Sequence, residues 1–362
     1  MKLAQKNEQA AVGTCDNMIA HQGFVWKQQN LPLERRSMRA LRDSHDRHFT
    51  YLRLSLTEKC NFKCTYCLPN GYKASGCESD LNITEIRNLL SSFRKLGFTK
   101  IRLTGGEPTL RRDIVEIVAL AKGLGFKTVA LTTNAYRLLN LLEPLKTAGL
   151  DQINISLDTL DPQKFNEISG RNCGDDVLLS IHKAATMDFR KVKVNTVLMK
   201  GFNDREFPSF LDWVKKTKVS LRFIELMPTS ENKEFFHKHY LSSQEWIKNL
   251  KVMGWSEISK AQDAGPAIEL KHTDYVGEIG FITPFQNTFC KSCNRLRVSS
   301  KGALRLCLFG AGDAPLRPLL QSEMQQEELL QQIEKLILVK RPSHYLNEGD
   351  NGDTRTFSSI GG

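Results

Sequence analysis

The sequence contains no long apolar run and no secretory leader. None of its apolar stretches approaches the roughly 18 residues needed to cross a bilayer, and its first residues are polar. We therefore expect no membrane segment and a cytoplasmic location. Residues 1–45 carry more basic than acidic side chains, so an organellar transit peptide is an open alternative.

Dense blocks of like charge are also missing. Lysine and arginine total 51 against 40 for aspartate and glutamate, which gives a net charge of +11. This excess suits an anionic partner, either nucleic acid or a small polyphosphate, with a basic solvated surface as the alternative. Because no block of consecutive basic residues forms a nucleic-acid-binding arm, we expect no nucleic-acid partner.

Cysteine, with nine residues in 362, is too sparse for a secreted disulfide scaffold. Six of the nine form two triplets, one at 60–67 and the other at 290–307. Clustered cysteines in a large chain without a leader predict metal binding in a reducing compartment. The remaining three are isolated, and we expect ordinary thiols at Cys15, Cys77 and Cys173.

Short apolar strands alternate with amphipathic helices over the first two thirds of the chain. The predicted strands are 51–57, 100–104, 126–132, 151–157, 192–198 and 219–227. The predicted helices between them are 84–97, 113–125, 137–149, 175–187 and 205–217. This alternation predicts an α/β fold with parallel strands. Six units are fewer than the eight of a closed barrel, so we expect a partial (β/α)6 TIM-type barrel.

The alternation ends near residue 228. Residues 276–309 read as short strands around the second cysteine triplet, and residues 323–338 predict a helix. We therefore predict three regions, which are an N-terminal extension at 1–45, partly disordered, a barrel at 46–228 and a C-terminal domain at 229–362.

The first triplet has the spacing CxxxCxxC, in CNFKCTYC at 60–67, and lacks an obvious fourth ligand. A structural zinc ion would need one, and Cys77 is the only nearby candidate. A [4Fe–4S] cluster held by three thiolates instead leaves one iron open for another molecule. The spacing favours the cluster, with zinc and coincidence as the alternatives.

The second triplet again supplies three thiols, in CKSCNRLR at 290–297 followed by Cys307. A zinc ribbon would normally show a second CxxC pair, and neither His272 nor His344 has ligand spacing. An auxiliary cluster is therefore favoured over zinc. Its open iron would be available to a substrate.

Basic residues on the predicted strands suggest what that substrate is. Arg295 and Arg297 alternate in a strand and so share one face, while Arg53, Arg102 and Lys193 lie on barrel strands. Cations inside a barrel are costly unless an anion meets them. A triphosphate would do so, and outward-facing charges are the alternative.

The first triplet, placed after a strand and followed by GGEP at 105–108, resembles the radical S-adenosylmethionine (SAM) superfamily. The resemblance implies a [4Fe–4S] cluster on Cys60, Cys64 and Cys67. It also implies that SAM binds the open iron and is cleaved to methionine and a 5′-deoxyadenosyl radical. The implied SAM contacts are Tyr66, Gly105, Gly106, Glu107, Ser156 and Met227.

Further blocks narrow the resemblance to the GTP 3′,8-cyclase family, from about residue 38 to 362. They include IRLTGGEP, LTTN, NISLDTLD, VKVN, RFIELMP, FCKSCNRLR, LRLCLF and the terminal IGG. The sequence departs from the family's usual pattern with TTNA instead of TTNG and with Phe357 instead of methionine. The N-terminal extension has no clear counterpart, which leaves its role open.

The narrower resemblance implies a lyase that acts in molybdenum cofactor biosynthesis. It would convert GTP to (8S)-3′,8-cyclo-7,8-dihydroguanosine triphosphate, through hydrogen abstraction from C3′, attack of the C3′ radical on C8 of guanine, and reduction and protonation of the resulting radical. A second [4Fe–4S] cluster on Cys290, Cys293 and Cys307 would lie in the C-terminal domain, which covers the open side of the barrel. The implied GTP contacts are Arg53, Arg102, Thr132, Lys193, Arg295, Leu296 and Arg297.

The resemblance also implies catalytic roles for Arg295, Arg297, Gly361 and Gly362, with the double glycine inserted into the active site. The product would pass to cyclic pyranopterin monophosphate synthase. The electron donor and the choice between monomer and homodimer stay open. The alternatives are a radical SAM peptide maturase with an auxiliary cluster, and a zinc protein that binds nucleic acid.

Overall fold

The computed structural model describes residues 41–73, 78–259 and 265–358. The expectations for Cys15, Cys77 and Gly361–Gly362 lie outside the described residues, as does most of the N-terminal extension.

The described residues form a twelve-stranded sheet and a separate two-stranded hairpin. The strands are β1 (Leu41–Arg42), β2 (His48–Phe49), β3 (Tyr51–Ser55), β4 (Lys100–Thr104), β5 (Thr128–Thr133), β6 (Gln152–Ser156), β7 (Lys191–Leu198), β8 (Ser220–Glu225), β9 (Ser256–Glu257), β10 (Ile268–Lys271), β11 (Glu278–Ile282), β12 (Arg295–Val298), β13 (Ala303–Arg305) and β14 (Ala314–Pro315). The α-helices are α1 (Ile83–Lys95), α2 (Ile114–Gly123), α3 (Leu142–Thr147), α4 (Pro162–Ser169), α5 (Gly174–Thr186), α6 (Phe207–Lys216), α7 (Lys233–His239), α8 (Gln244–Val252) and α9 (Gln326–Ile337). Short 3₁₀ helices lie at Pro108–Leu110, Leu138–Asn140, Arg317–Leu320, Glu323–Gln325 and Leu346–Glu348.

The six predicted strands are confirmed as β3 to β8. They pair in chain order and are all parallel. Strand β12 adds to β3 in parallel on one side, and β11 adds to β8 in parallel on the other. The sheet then continues with antiparallel strands, β13 and β14 next to β12, and β10 and β9 next to β11. The C-terminal third of the chain therefore flanks the central strands on both sides.

Apolar and polar side chains alternate along the central strands, so the apolar core lies on one face of the sheet and the polar side chains on the other. Leu52 and Leu54 in β3 are fully buried in the apolar core, while Arg53 between them lines a cavity. The same core includes Leu296 and Val298 from β12. Side chains of successive strand residues point to opposite faces, so one face of the sheet supplies stability and the other is free to carry polar groups.

The helices α4, α7 and α8 are missing from the sequence-based expectation. Helix α4 begins after Asp161, whose side chain accepts hydrogen bonds from the backbone of Gln163 and Lys164, and ends at Gly170 in the left-handed conformation. Asp before Pro at the first helical position and Gly after the last turn are ordinary helix signals. Weighing them would have predicted this short helix.

None of the helices that the structure describes is both long and apolar enough to cross a membrane.

Candidate active site

Two cavities adjoin on the polar face of the sheet. One is lined by Cys60, Cys64 and Cys67, and we call it the first-triplet cavity. The other, lined by the second cysteine triplet, is the second-triplet cavity. Their empty volumes are about 1300 and 1140 Å³. Residues common to both linings are Thr132, Asn195, Ile224, Met227 and Leu308. The two cysteine triplets therefore face one continuous chamber.

The loop of the first triplet is fixed by backbone hydrogen bonds. The N–H groups of Lys63 and Thr65 donate to the carbonyls at the end of α4, at 2.9 and 3.0 Å. Within the loop, the N–H of Cys67 donates to the carbonyl of Cys64 at 3.0 Å. The end of helix α4, whose Ile168 and Ser169 also line the cavity, thus supports the loop that carries the three thiols.

The three thiols fit a metal cluster chemically. Burial raises the pKa of Cys60 to about 11 and of Cys67 to about 12, and it also raises the pKa of Cys64 well above its ordinary value. Thiolates in this loop therefore need a positive metal centre. Among the described residues, no group of three or more His, Cys, Asp or Glu side chains is placed for a single metal ion. In a cluster each sulfur binds a different iron, so ligands facing one shared space suffice.

Two glycines bring the turn after β4 against the backbone that leads to Cys60. The N–H of Gly106 donates to the carbonyl of Thr57 at 2.7 Å. A Cβ at Gly106 would lie 2.3 Å from the carbonyl oxygen of Lys59, and one at Gly105 would lie 2.4 Å from that of Thr57. Only glycine allows this approach. Both glycines line the first-triplet cavity, as do Tyr66, Ser156 and Met227.

Glu107 lies behind the cavity wall. Its Oε1 accepts hydrogen bonds from the Thr109 N–H, the Thr109 hydroxyl and the Thr133 hydroxyl, and its Oε2 accepts one from the Asn134 N–H at 2.7 Å. Burial raises the pKa of Glu107, although these donors oppose the shift. The carboxylate therefore holds together two turns that line the cavity, and its direct contact with SAM stays a prediction.

Asp158 is a site residue that the sequence analysis missed. Tyr66 donates its hydroxyl to Oδ2 of Asp158 at 2.9 Å, and the Val197 N–H donates to Oδ1 at 2.8 Å. Burial raises the pKa of Asp158 to about 6. The signal was its place just after β6, where Ser156 had already been singled out.

The second-triplet cavity is lined by basic side chains. They number eight, and they are Arg53, Lys100, Arg102, Lys193, Arg222, Arg295, Arg297 and Lys340. Among the described residues that line this cavity, none is an aspartate or glutamate. Predicted GTP contacts brought together here are Arg53, Arg102, Thr132, Lys193, Arg295 and Arg297. Leu296 is instead fully buried in the core.

Strand register sets these charges side by side. Arg53 is the Cα partner of Arg297 in β12 and of Arg102 in β4, so three arginines form a row across neighbouring strands. Like charges directly opposite one another destabilise a sheet. Lys100 shares the alternation of β4 with Arg102, and Arg222 alternates with apolar residues in β8. This pattern in the sequence could have revealed both as site residues.

The crowding of cations and their burial depress several pKa values. Burial, followed by Arg222 and Arg102, lowers the pKa of Lys193 to about 5. Burial and Arg295 lower that of Arg297 to about 10. Burial alone would raise the pKa of Tyr51, but the nearby cations outweigh this effect and lower the pKa to about 7. A polyanion in the cavity would relieve all of these shifts.

Two amide oxygens complete the polar lining. Oδ1 of Asn154 and Oδ1 of Asn195 are buried without a hydrogen-bond partner among the described residues. Buried acceptors of this kind are costly. Asn154 lines the second-triplet cavity and Asn195 lines both, so a ligand that carries N–H or O–H groups could satisfy them.

Within the second triplet, Cys293 has an electrostatic environment opposite to that of the first triplet, while burial raises the pKa of Cys290. Burial would raise the pKa of Cys293, but Arg295, Lys340 and Arg47 outweigh it and lower this pKa to about 7. Arg47 also donates to the carbonyls of Arg341 and Pro342, at 2.6 and 2.9 Å. The first triplet, in contrast, lies near the carboxylate of Asp158.

The fold and this site define a radical SAM enzyme, a class that uses SAM and an iron–sulfur cluster. Residues 54–214 match the Radical SAM superfamily, and residues 219–346 match the Molybdenum Cofactor Synthesis C family. A solved structure of SuiB from Streptococcus suis with bound S-adenosylmethionine has a similar fold. Its TM-score is 0.54 at 14% identity, covering 80% of this chain and 67% of that one.

Curated relatives are far more similar in sequence. The GTP 3′,8-cyclase of Yersinia pestis is 46% identical over 323 residues, which cover 89% of this chain and 99% of that one. The GTP 3′,8-cyclase of Vibrio vulnificus is 48% identical over 88% of this chain and 97% of that one. The chain belongs to the GTP 3′,8-cyclase family.

Proposed function

We propose that this protein converts GTP to (8S)-3′,8-cyclo-7,8-dihydroguanosine triphosphate, the first step of molybdenum cofactor biosynthesis. The observation that carries the proposal is the single chamber with a thiol triplet at each end and eight basic side chains lining one part. GTP carries a triphosphate, which suits the basic side chains, and a guanine base, which would bind the open iron of a cluster on the second triplet. The names of the curated relatives and the match of residues 219–346 support the same reaction.

The first-triplet cavity is the proposed SAM site. Cys60, Cys64 and Cys67 would hold a [4Fe–4S] cluster, and SAM bound there supplies the radical that starts the reaction. The remaining proposed SAM contacts are Tyr66, Gly105, Gly106, Glu107, Ser156 and Met227. Apart from Glu107, all of these line the cavity, and Asp158 holds Tyr66 in place through its hydroxyl.

The second-triplet cavity is the proposed GTP site. The triphosphate would lie on the row of arginines and against Lys193, with Lys100 and Arg222 as further contacts. Thr132 lines both cavities and already accepts a hydrogen bond from Arg102 at 3.0 Å. The ribose would therefore lie at the junction, where its C3′–H faces the SAM site. Fixing the ribose and base in this orientation favours closure of the C3′–C8 bond over side reactions.

Cys290, Cys293 and Cys307 would hold a second [4Fe–4S] cluster, whose open iron would bind the guanine base. Arg295 and Arg297 follow Cys293 by two and four residues. They would be catalytic because they would lie between this cluster and the triphosphate and contact the bound GTP. Leu296 points into the core, so its proposed contribution is a backbone contact.

The strands β3 to β8 and the helices between them would form a partial (β/α)6 barrel. Their parallel order supports this, and so does the continuation of the sheet into β11 and β12. Residues 229–362 would form the auxiliary-cluster domain over the open side, after a barrel at 46–228 and an extension at 1–45.

Gly361 and Gly362 would enter the chamber and support catalysis. Ser358 lines the first-triplet cavity, and four further residues reach about 14 Å when extended. The remaining proposals are a cytoplasmic location and transfer of the product to cyclic pyranopterin monophosphate synthase.

Anaerobic reconstitution tests the proposal. We expect about eight irons per chain, from two four-iron clusters, and formation of 5′-deoxyadenosine from SAM and a reductant only when GTP is present. If 5′-deoxyadenosine forms at the same rate without GTP, the substrate is wrong although the class stands. A radical SAM peptide maturase, the rival function, would respond to a peptide and not to GTP.

A further inference from the structure

A single buried side chain holds together the loop between β8 and α7, residues 226–232, which we call the β8–α7 loop. This side chain is Asn232, the last residue of the loop. Its Oδ1 accepts a hydrogen bond from the Thr229 N–H at 2.7 Å, and its Nδ2 donates one to the Met227 carbonyl at 3.2 Å. Nδ2 also donates to the carbonyl of Tyr66 at 2.9 Å. One amide group therefore joins the β8–α7 loop to the loop of the first triplet.

The contacts of Asn232 require an amide. Its oxygen is an acceptor and its nitrogen carries two N–H donors, which match one backbone N–H and two backbone carbonyls. The opposite orientation of the amide would place its oxygen against two carbonyl oxygens, so the hydrogen-bond pattern assigns the two atoms. Aspartate has the same shape and would keep the acceptor for Thr229. We expect it to push the two loops apart, because an oxygen would face both carbonyls where a donor had been.

The β8–α7 loop is also fixed on the side of the second triplet. The Ser230 N–H donates to the carbonyl of Thr354 at 3.0 Å. The Thr354 hydroxyl donates in turn to the carbonyl of Leu308 at 2.5 Å and accepts from Arg305 at 3.1 Å. Arg305 and Leu308 lie on either side of the last cysteine of the second triplet. The β8–α7 loop is therefore anchored to that part of the chain, and Asn232 extends the connection to the loop of the first triplet.

The two carbonyls that Asn232 binds belong to residues of the proposed SAM site. Tyr66 lies between the last two cysteines of the first triplet and Met227 follows β8, and both line the first-triplet cavity. Asn232 itself is not among the described residues that line the two cavities. A SAM molecule bound to the first cluster would lie between Tyr66 and Met227, so the separation of their backbones sets the width of its site. Asn232 fixes this separation because both carbonyls contact the same nitrogen.

We propose that Asn232 is a positioning residue for SAM, which holds Tyr66 and Met227 at the separation that SAM needs. This inference rests on the proposed SAM site. Asn232 acts through the backbones of these two residues and does not contact SAM. Its loss should weaken SAM binding more than GTP binding, because the basic side chains proposed to hold the triphosphate are carried by strands, whereas Asn232 holds two loops.

Asn232→Asp tests the proposal, because it removes the two N–H donors and keeps the shape and the acceptor. Asn249→Asp, on the exposed face of α8, is the matched control. The measurement is a titration of the reconstituted full chain with SAM, followed by the change that SAM causes in the paramagnetic signal of the reduced first cluster. This signal counts only chains that hold the cluster, so incomplete reconstitution of a variant does not distort the result. Calorimetric titration with GTP gives the second affinity.

We expect the dissociation constant for SAM to rise at least about tenfold in Asn232→Asp, since two carbonyls lose their donor, and that for GTP to change less than about threefold. The Asn249→Asp control should match the parent. Asn232→Ala introduces no charge and decides the result if Asn232→Asp holds no cluster, and its SAM constant should rise in the same direction. An unchanged SAM constant in the deciding variant, or equal rises for SAM and GTP, would overturn the inference. A parent signal that does not respond to SAM would instead show that the proposed function itself fails.

Discussion

Lys193 shows at the scale of one residue why the chamber should bind a polyanion. Its ammonium donates to Gln152 at 2.9 Å, and it is buried next to other cations. With a pKa of about 5, Lys193 is neutral at neutral pH while the cavity is empty. A bound triphosphate restores the charge, because a nearby anion favours the protonated form.

Triphosphate binding should therefore take up protons. Calorimetric titration of GTP at pH 7.5, in buffers of different ionisation enthalpy, should show an uptake of up to about one proton from Lys193. Tyr51, with a pKa of about 7, contributes in the same direction. Lys193→Met should reduce the uptake and Lys193→Arg should also do so, because arginine is already charged. Equal binding enthalpies in all buffers would contradict this prediction.

Lys193 also gives a stability prediction with a defined sign. Its pKa is about 5 in the folded chain and about 10.4 in an unfolded one, so the unfolded chain binds more protons between these values. The contribution of Lys193 to the free energy of unfolding should then rise with pH across this window. Chemical unfolding of the cluster-free protein at pH 6 and pH 9 measures it. Lys193→Met should flatten the rise, and an identical pH profile in that variant would be inconsistent with the assignment.

Glu107 is expected to act on structure. In Glu107→Gln the new amide N–H₂ meets donors where the carboxylate accepted hydrogen bonds from Thr109, Thr133 and Asn134. We expect a loss of about 2–3 kcal/mol in the free energy of unfolding of the cluster-free protein. Glu116→Gln, on the exposed face of α2, is the matched control and should change little. Equal stability of both variants would show that the buried network is unimportant.

At the scale of elements, the turn after β4 determines the shape of the SAM site. Gly106→Ala would place a Cβ against the carbonyl of Lys59 and separate the turn from the loop that leads to Cys60. SAM affinity should fall at least tenfold in equilibrium binding to the reconstituted protein. Gly123→Ala is the matched control, because nothing lies within 4 Å of its Cβ. Unchanged SAM binding in Gly106→Ala would argue against this role of the turn.

The elements differ in how well the sequence predicts them. The six central strands were predicted because buried parallel strands read as short apolar runs. The helix predicted at 137–149 is split into Leu138–Asn140 and α3, where Pro144 lies in the first turn and tolerates the missing N–H. Helices α7 and α8 lie in the polar stretch after residue 228, where the apolar pattern is weak.

At the scale of the whole molecule, the sheet crosses the predicted domain boundary at 228. Strands β11 and β12 pair with β8 and β3 and bury Ile279, Phe281, Leu296 and Val298 in the common core. A chain that ends at residue 228 would expose both edges and lose these contacts. We expect it to lack a cooperative thermal transition, while a chain that ends at residue 358 unfolds cooperatively. A cooperative transition in the shorter chain would show that the barrel region folds alone.

Only part of the site could be predicted from the sequence, and the reason is physical. Cysteine spacing and alternating arginines are local patterns, so Cys60 and Arg297 could be found from the sequence. Lys340 reaches the second-triplet cavity from beyond α9, and Asp158 acts through Tyr66, 92 residues before it. Only the folded chain brings these together. The domain boundaries, the individual contacts of SAM and GTP and the two-cluster count stay predictions.

The central claim is that one chamber places C3′ of GTP against the SAM site. Incubation of the reconstituted protein with SAM, a reductant and GTP deuterated at C3′ tests it most directly, with mass spectrometry of the 5′-deoxyadenosine formed. We predict that this deuterium appears in 5′-deoxyadenosine and that deuterium at C2′ does not. Unlabelled 5′-deoxyadenosine from the C3′-labelled substrate would contradict the account.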